Sequence, residues 1–386
     1  MRRLAIPPRD NWTALLEASG FAFHSPDGQR YWVEDACYAF TLEQIERDIE
    51  APTAELHALC REVVDRAVRD GAVLERLRIP QVAWDPIAAS WARADVALYG
   101  RFDFAYAGDG PAKLLEFNAD TPTALFETGY VQWAWLEDAL ARGVMPAGTD
   151  QFNSVHDRLV AAFGLLAAGA PMHFTCMADI PEDRGTVAYL EDCASQAGVT
   201  TRFVDLKRIG IAGDGCFVDD EDTRIGLLFK LYPWEWIFAE EYGKALYRTP
   251  TRFVEPPWKA VLSTKGLLPL LWDLAPGHPN LLPAFFDDDP RKAELGDSYA
   301  RKPLYSREGA NVTLVEAGAV VASGEGGYGA EGHVVQALAR LPAFDGRYPV
   351  IGTWLVAGEP AGINLREDAT PITTDAAWFL PHVIMP

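Results

Sequence analysis

In the stretch "RFDFAYAGDGPAKLLEFNAD", polar side chains recur two residues apart: Arg101 and Asp103, then Glu116, Asn118 and Asp120. Residues i, i+2 and i+4 of a strand share one face, so Glu116, Asn118 and Asp120 are expected to point the same way. The "GDGP" between the two alternating runs is a turn signal, which makes the pair a hairpin. A two- or four-residue loop centred on Asp109 and Gly110 sets Asp103 opposite Glu116 and Arg101 opposite Asn118. Like charges facing across a ladder repel, so a cation is expected between them. A hard divalent ion, Mg2+ or Mn2+, takes carboxylate and amide oxygens in that arrangement. The solvated face of an acidic surface hairpin fits the same residues.

Three cations elsewhere suit phosphate chemistry. Lys302 ends an apolar-flanked segment in "YARKPLYSREGANV", Lys265 precedes an apolar helix in "LSTKGLLPLLW", and Arg366 sits on a short strand in "AGINLREDATPI". Singly, each reads as a snorkelling surface cation. With the carboxylates and glycine-rich loops they form a set suited to phosphoryl transfer, which needs positioned charge and little covalent chemistry from the protein. The run "GEGGYG" fits GxGxxG through Gly324, Gly326 and Gly329 and is followed by "GHVVQALARL", read as helical. Too little chain follows for a doubly wound dinucleotide sheet. The loop, with Gly326 and Gly327 at its centre, is expected instead to lay amides over phosphates and close as a lid. A plain hairpin turn is the other reading.

The elements that must position these residues follow from texture. "TLEQIERDIEAPTAELHALCREVVDRAVRDG" carries apolar residues at helical spacing and is expected to stop on Gly71, and "TALFETGYVQWAWLEDAL" is a second helical run. Between about 170 and 230, "PMHFTCMAD", "TVAYLEDCASQAG", "TTRFVDL" and "RIGLLFKLY" read as an alternating β/α unit with parallel strands. Strands and turns dominate the remainder. The 386 residues exceed one ordinary core, so several subdomains are expected. A net charge of −21 argues against a nucleic-acid partner. Five scattered Cys without a CxxC read as reduced thiols, and no apolar run reaches membrane-span length. A cytoplasmic protein is expected. GxSxG, HExxH and Walker A motifs are absent from the sequence.

With "RFDF…LLEFNAD", "KLYPWEW", "ARKPLYSREGANV" and "GINLRED" in this order, the chain resembles the synthetase domain of the glutathionylspermidine synthase family, stand-alone acid–amine ligases included. The resemblance implies an α+β or α/β ATP-grasp fold with a pre-ATP-grasp-like β/α substrate domain and metal ligands early in the chain. It divides the chain into 1–165 (helical part and metal hairpin), 166–255 (β/α domain) and 256–386 (nucleotide-binding and lid region). Asp103, Glu116 and Asn118 would hold two Mg2+. Lys265 and Lys302 would bind ATP phosphates, with Glu308, Gly309, Gly326, Gly327, Gln336, Leu338 and Ala339 along the nucleotide. Arg101 would contact the γ-phosphate or acyl phosphate, and Arg366 would stabilise the transition states. Asp120 and Thr121 would handle a peptide or small-molecule carboxylate. Glu182, Asp183 and Asp375 would face the amine, with polyamines as candidates. The amidase domain of bifunctional members is not expected here. An ATP-binding but catalytically silent partner protein is the alternative. A two-carboxylate glycoside hydrolase would leave Lys265, Lys302 and Arg366 without a role.

Overall fold

The computed structural model describes residues 1–167 and 169–386. Three sheets carry the architecture. The central one is antiparallel, in the order Trp378–Leu380, Glu359–Asp368, Tyr348–Val356, Tyr99–Ala105, Lys113–Asn118. The hairpin of the opening stretch is thus completed by strands from the far end of the chain. A second antiparallel sheet runs Ala284–Phe286, His333–Ala337, Tyr299–Pro303, Thr313–Glu316, Ala319–Ser323. The third is parallel, in the order Arg252–Val254, Leu227–Lys230, Met172–Thr175, Thr201–Phe203, with helix Pro181–Gln196 crossing between its last two strands.

Alternation explains why the hairpin holds its place. Phe102, Phe104 and Phe117 project from one face, and the Phe102 and Phe117 rings stack with centroids 4.0 Å apart. That face joins a core with Leu56, Cys60, Val63 and Val64 of helix Ala51–Arg69. Each buried phenyl ring is worth about 1.5–3 kcal/mol, so the register is strongly specified. The charged residues are left on the opposite face. Gly352 is paired with Asp103 in the neighbouring strand, and a side chain there would meet Asn364 Oδ1 at 2.2 Å and Arg101 Cδ at 2.7 Å. Only glycine leaves the Arg101 side chain room to lie across the sheet.

Four local expectations are corrected. The helix from Ala51 ends at Arg69, but Gly71 does not stop the run. Asp70 is extended and accepts a hydrogen bond from Ala72 N (3.0 Å), capping a further helix Gly71–Arg76. "GHVVQALARL" is a strand, His333–Ala337, buried between two others. Its β-branched Val334 and Val335 suit that position, and so short an apolar run does not settle helix or strand by periodicity. Arg366 lies on a ten-residue strand, Glu359–Asp368, not a short one. Two strands, Arg2–Ala5 and Ala36–Phe40, interrupt the helical N-terminal region and pair with each other. Among the described residues no helix is long and apolar enough to cross a membrane. All five cysteines are buried and unpaired.

Candidate active site

The hairpin register is Asp103 against Glu116 and Arg101 against Asn118, the pairs expected, although the connection runs from Tyr106 to Ala112 and not over two or four residues. A bulge then shifts the ladder by one residue, so that Phe104 pairs with Leu114 and Leu115 is left over. The bulge matters chemically, because it frees the Leu115 carbonyl. Lys302 Nζ donates to that oxygen (2.8 Å) and to Gln336 Oε1 (2.7 Å), while Gln336 Nε2 donates to Leu114 O (2.9 Å). The second sheet is thereby clamped over the edge of the first.

Between the two sheets and the loops of the parallel sheet lies a cavity of about 370 Å3. Its floor is a dense ionic network. Asp103 Oδ1 accepts from Arg101 Nε (2.7 Å), and its Oδ2 accepts from Arg101 Nη2 (3.1 Å), Asn118 Nδ2 (3.1 Å) and Arg366 Nη2 (2.9 Å). Lys265 Nζ stands 3.1 Å from Glu116 Oε2. The cation expected between the facing carboxylates is thus supplied, in the protein alone, by two arginines and a lysine. Burial works against the Glu116 carboxylate, but the charges of Lys265 and Lys302 outweigh it and hold the group below the usual carboxylate range. Burial pulls Lys302 down to about 8, despite the attraction of Glu116. Burial likewise opposes the Arg101 charge, and Asp103 more than compensates. Arg366 Nε is buried without a hydrogen-bond partner.

Asp103, Glu116 and Asn118 fit a hard ion. Asn118 Nδ2 lies 3.1 Å from one carboxylate and 3.4 Å from the other, so the three side chains converge. Turning the amide over would present three oxygens to one point. No group of three or more His, Cys, Asp or Glu suited to a metal exists among the described residues.

Thr121, Glu308, Gly309, Gln336, Leu338 and Ala339 all line this cavity, as do Glu182 and Asp183. Burial and the neighbouring Glu182 push Asp183 up to about 6. Glu308 is raised by burial first, then by the nearby charges of Asp375 and Glu182. Gly309 has φ +70°, and a side chain there would strike Ile372 at 2.4 Å. Four residues lie elsewhere. Gly326 and Gly327 are off the cavity wall; a side chain at Gly326 would meet Ala310 and the Asn311 side chain, both at 2.8 Å. Asp375 is exposed beyond the rim. Asp120 departs from the shared face because the strand ends at Asn118. Its carboxylate is buried against Lys230 Nζ (2.6 Å) and Trp234 N (2.8 Å), which ties the hairpin to the parallel sheet.

Arg307 was missed. It lines the cavity, donates to Thr121 Oγ1 (2.9 Å) and to Glu235 Oε1 (2.8 Å), and lies over the Trp236 ring. Its place beside Glu308 in "YSREGANV" was the available signal.

Comparison with known proteins gives this geometry its context. Residues 3–385 match the family model described as "Glutathionylspermidine synthase preATP-grasp". The chain is 39% identical to the "Putative acid--amine ligase" of Haemophilus influenzae, with all of both chains covered. It is 28% identical to a trypanothione synthetase of Crithidia fasciculata over 83% of this chain and 52% of that one. The bifunctional glutathionylspermidine synthetase/amidase of Escherichia coli is 27% identical over 91% of this chain and 60% of its own length. The chain thus spans only part of these two relatives. A glutathione synthetase-like effector of Globodera pallida shares the fold, with a TM-score of 0.56 at 12% identity, covering 99% of this chain and 100% of that one. With almost its whole length matched by the family model, the chain belongs to the glutathionylspermidine synthase family.

Proposed function

We propose that the protein is an ATP-dependent acid–amine ligase with an ATP-grasp mode of nucleotide binding. The observation that carries this reading is the convergence of Arg101, Arg366 and Lys265 on the Asp103–Glu116 pair, with Lys302 beside it on the Leu115 carbonyl, in one cavity. Family membership and relatives named as ligases support it.

The substrate carboxylate takes the γ-phosphoryl group, giving an acyl phosphate and ADP. The amine then attacks the carbonyl carbon, phosphate leaves, and the amine's proton passes to solvent or a cavity carboxylate. Lys265 and Lys302 bind the phosphates, with Gln336, Leu338 and Ala339 along the nucleotide. Arg101 and Arg366 hold the anionic oxygens through planar guanidinium forks, which suit phosphate better than point charges do. Asp103, Glu116 and Asn118 would hold two Mg2+, which supply further neutralisation of phosphoryl charge. Thr121 and Arg307 would meet an incoming acid substrate, and Glu182, Asp183 and Glu308 would form the end suited to an ammonium group, with Asp375 exposed outside the cavity wall. The Gly324–Gly332 segment is the candidate lid against water, closing from outside the cavity wall.

The test is an ADP-release screen of peptides and thiol-containing acids crossed with polyamines and amino acids. Release that requires both an acid and an amine supports the ligase. ATP binding without release for any pair favours the silent ATP-binding protein instead.

A further inference from the structure

A second cavity, of about 310 Å3, adjoins the first. We propose that it is a binding site for an uncharged alkyl or aryl group carried by one of the two ligation substrates, which rests on the ligase reading. Its place in the fold is the first argument. From Met172–Thr175 the chain crosses by a helix to Thr201–Phe203 on one side, while Leu227–Lys230 lies on the other. Strand order therefore reverses between Met172–Thr175 and Leu227–Lys230. The crevice at the carboxyl ends of strands at such a point is where open α/β sheets bind ligands. Thr175 and Lys230, the last residues of those strands, line this cavity.

Composition is the second argument. The wall includes Leu206, Ile209, Phe217, Leu228 and Phe253. At roughly twice the volume of an engineered cavity of about 150 Å3 that takes benzene, it has room for a bicyclic ring or a medium alkyl chain. A second ammonium group is unfavourable here. Lys230 on the wall is already paired with Asp120, Lys207 stands at the rim, and Glu240, the one carboxylate among the described residues lining the cavity, accepts a hydrogen bond from the Tyr232 hydroxyl, so no carboxylate is left free to hold an ammonium group. Thr175 is fully buried, and its Oγ1 is among the few buried side-chain oxygens with no partner. Met177 and Tyr232 line both cavities, so one substrate can reach across.

The test has two arms. N-phenyl-1-naphthylamine, a neutral fluorescent probe, is titrated into the protein with and without a saturating non-hydrolysable ATP analogue and Mg2+. One-to-one binding that persists with nucleotide and weakens at least about tenfold in Leu206→Trp is expected. Ile209→Trp, filling the same wall, guards against a folding defect, and thermal melting checks both variants. The second arm measures ADP release with homologous n-alkylamines against one acid, and n-alkanoic acids against one amine. KM should fall about three- to fourfold per added methylene in one series, which identifies the substrate bearing the group. Absent probe binding, binding unchanged in both variants, or chain-length-independent KM in both series would overturn the proposal. ADP release absent for every pair would contradict the ligase reading instead, and the probe arm then decides the cavity alone.

Discussion

The two ends of the main cavity are built differently. The cationic end stands mainly on strands: Arg101 and Asp103 on one, Glu116 and Asn118 on the next, Arg366 and Lys302 on two more, with only Lys265 of this set on a turn, just before helix Leu267–Leu274. The acidic end stands on a helix start and loops: Glu182 and Asp183 open helix Pro181–Gln196, and Glu308 and Asp375 lie between strands. Strand pairing fixes side chains through the ladder and the packed face behind it. A helix start and loops fix them only locally. Charge density follows the same division, since the cationic end pairs every carboxylate while the acidic end leaves several facing one another. A preorganised end suits phosphoryl transfer, whose geometry is the same for every substrate. An end held by loops can vary with the amine.

Asp103→Asn breaks the contrast most severely. It removes the carboxylate that Arg101 and Arg366 share and leaves the buried Arg101 guanidinium and the half-buried Arg366 one uncompensated. Turnover should fall by about 1000-fold or more, with about 3–5 kcal/mol of stability lost. Steady-state ADP release and denaturant melting measure the two effects. Arg366→Lys should lower turnover about 100-fold with nucleotide affinity retained, because a point charge cannot replace the planar fork. Near-normal turnover would remove Arg366 from the transition state.

Asp120→Asn sharpens the comparison from the other side. Its partner Lys230 is as buried as Asp120 itself, so the variant should lose about 3–5 kcal/mol of stability. KM for the acid should change little at temperatures where the variant is folded. A KM effect without a stability effect would restore Asp120 as a substrate ligand.

The two ends should also titrate apart. Lys302, lowered to about 8 by burial, is cationic below that pH, so ATP affinity should be flat through neutrality and weaken as pH rises past 8. Asp183, raised to about 6 by burial and Glu182, is anionic above that pH, so amine affinity should weaken as pH falls through 6. Each limb should change by up to about tenfold per pH unit. Both limbs are read by titrating one ligand at a time, and a shared midpoint would deny the division.

The same contrast sets what the sequence reveals. Period-2 alternation showed which hairpin residues share a face, and the turn signal set Asp103 opposite Glu116, but the ladder beside the turn is one residue out of that register. The bulge at Leu115 could not be read, since it exists to meet Lys302 and Gln336 from another sheet. Asp120 fits the alternation but lies two residues past the strand end, where Lys230, distant in sequence, decides its direction. The strand His333–Ala337 was mistaken for a helix because its partners, not its short apolar run, determine its state. Arg307 was passed over because its neighbours Thr121 and Glu235 are brought to it only by the fold.

Calorimetric titration of the protein with a non-hydrolysable ATP analogue, with and without Mg2+, needs no knowledge of the acid or amine. The cationic end should bind one nucleotide per chain, with affinity that depends on Mg2+ and falls at least about 100-fold in Lys302→Met. Failure of the wild-type protein to bind, or equal binding by a folded Lys302→Met variant, would contradict the assignment of this cavity to ATP.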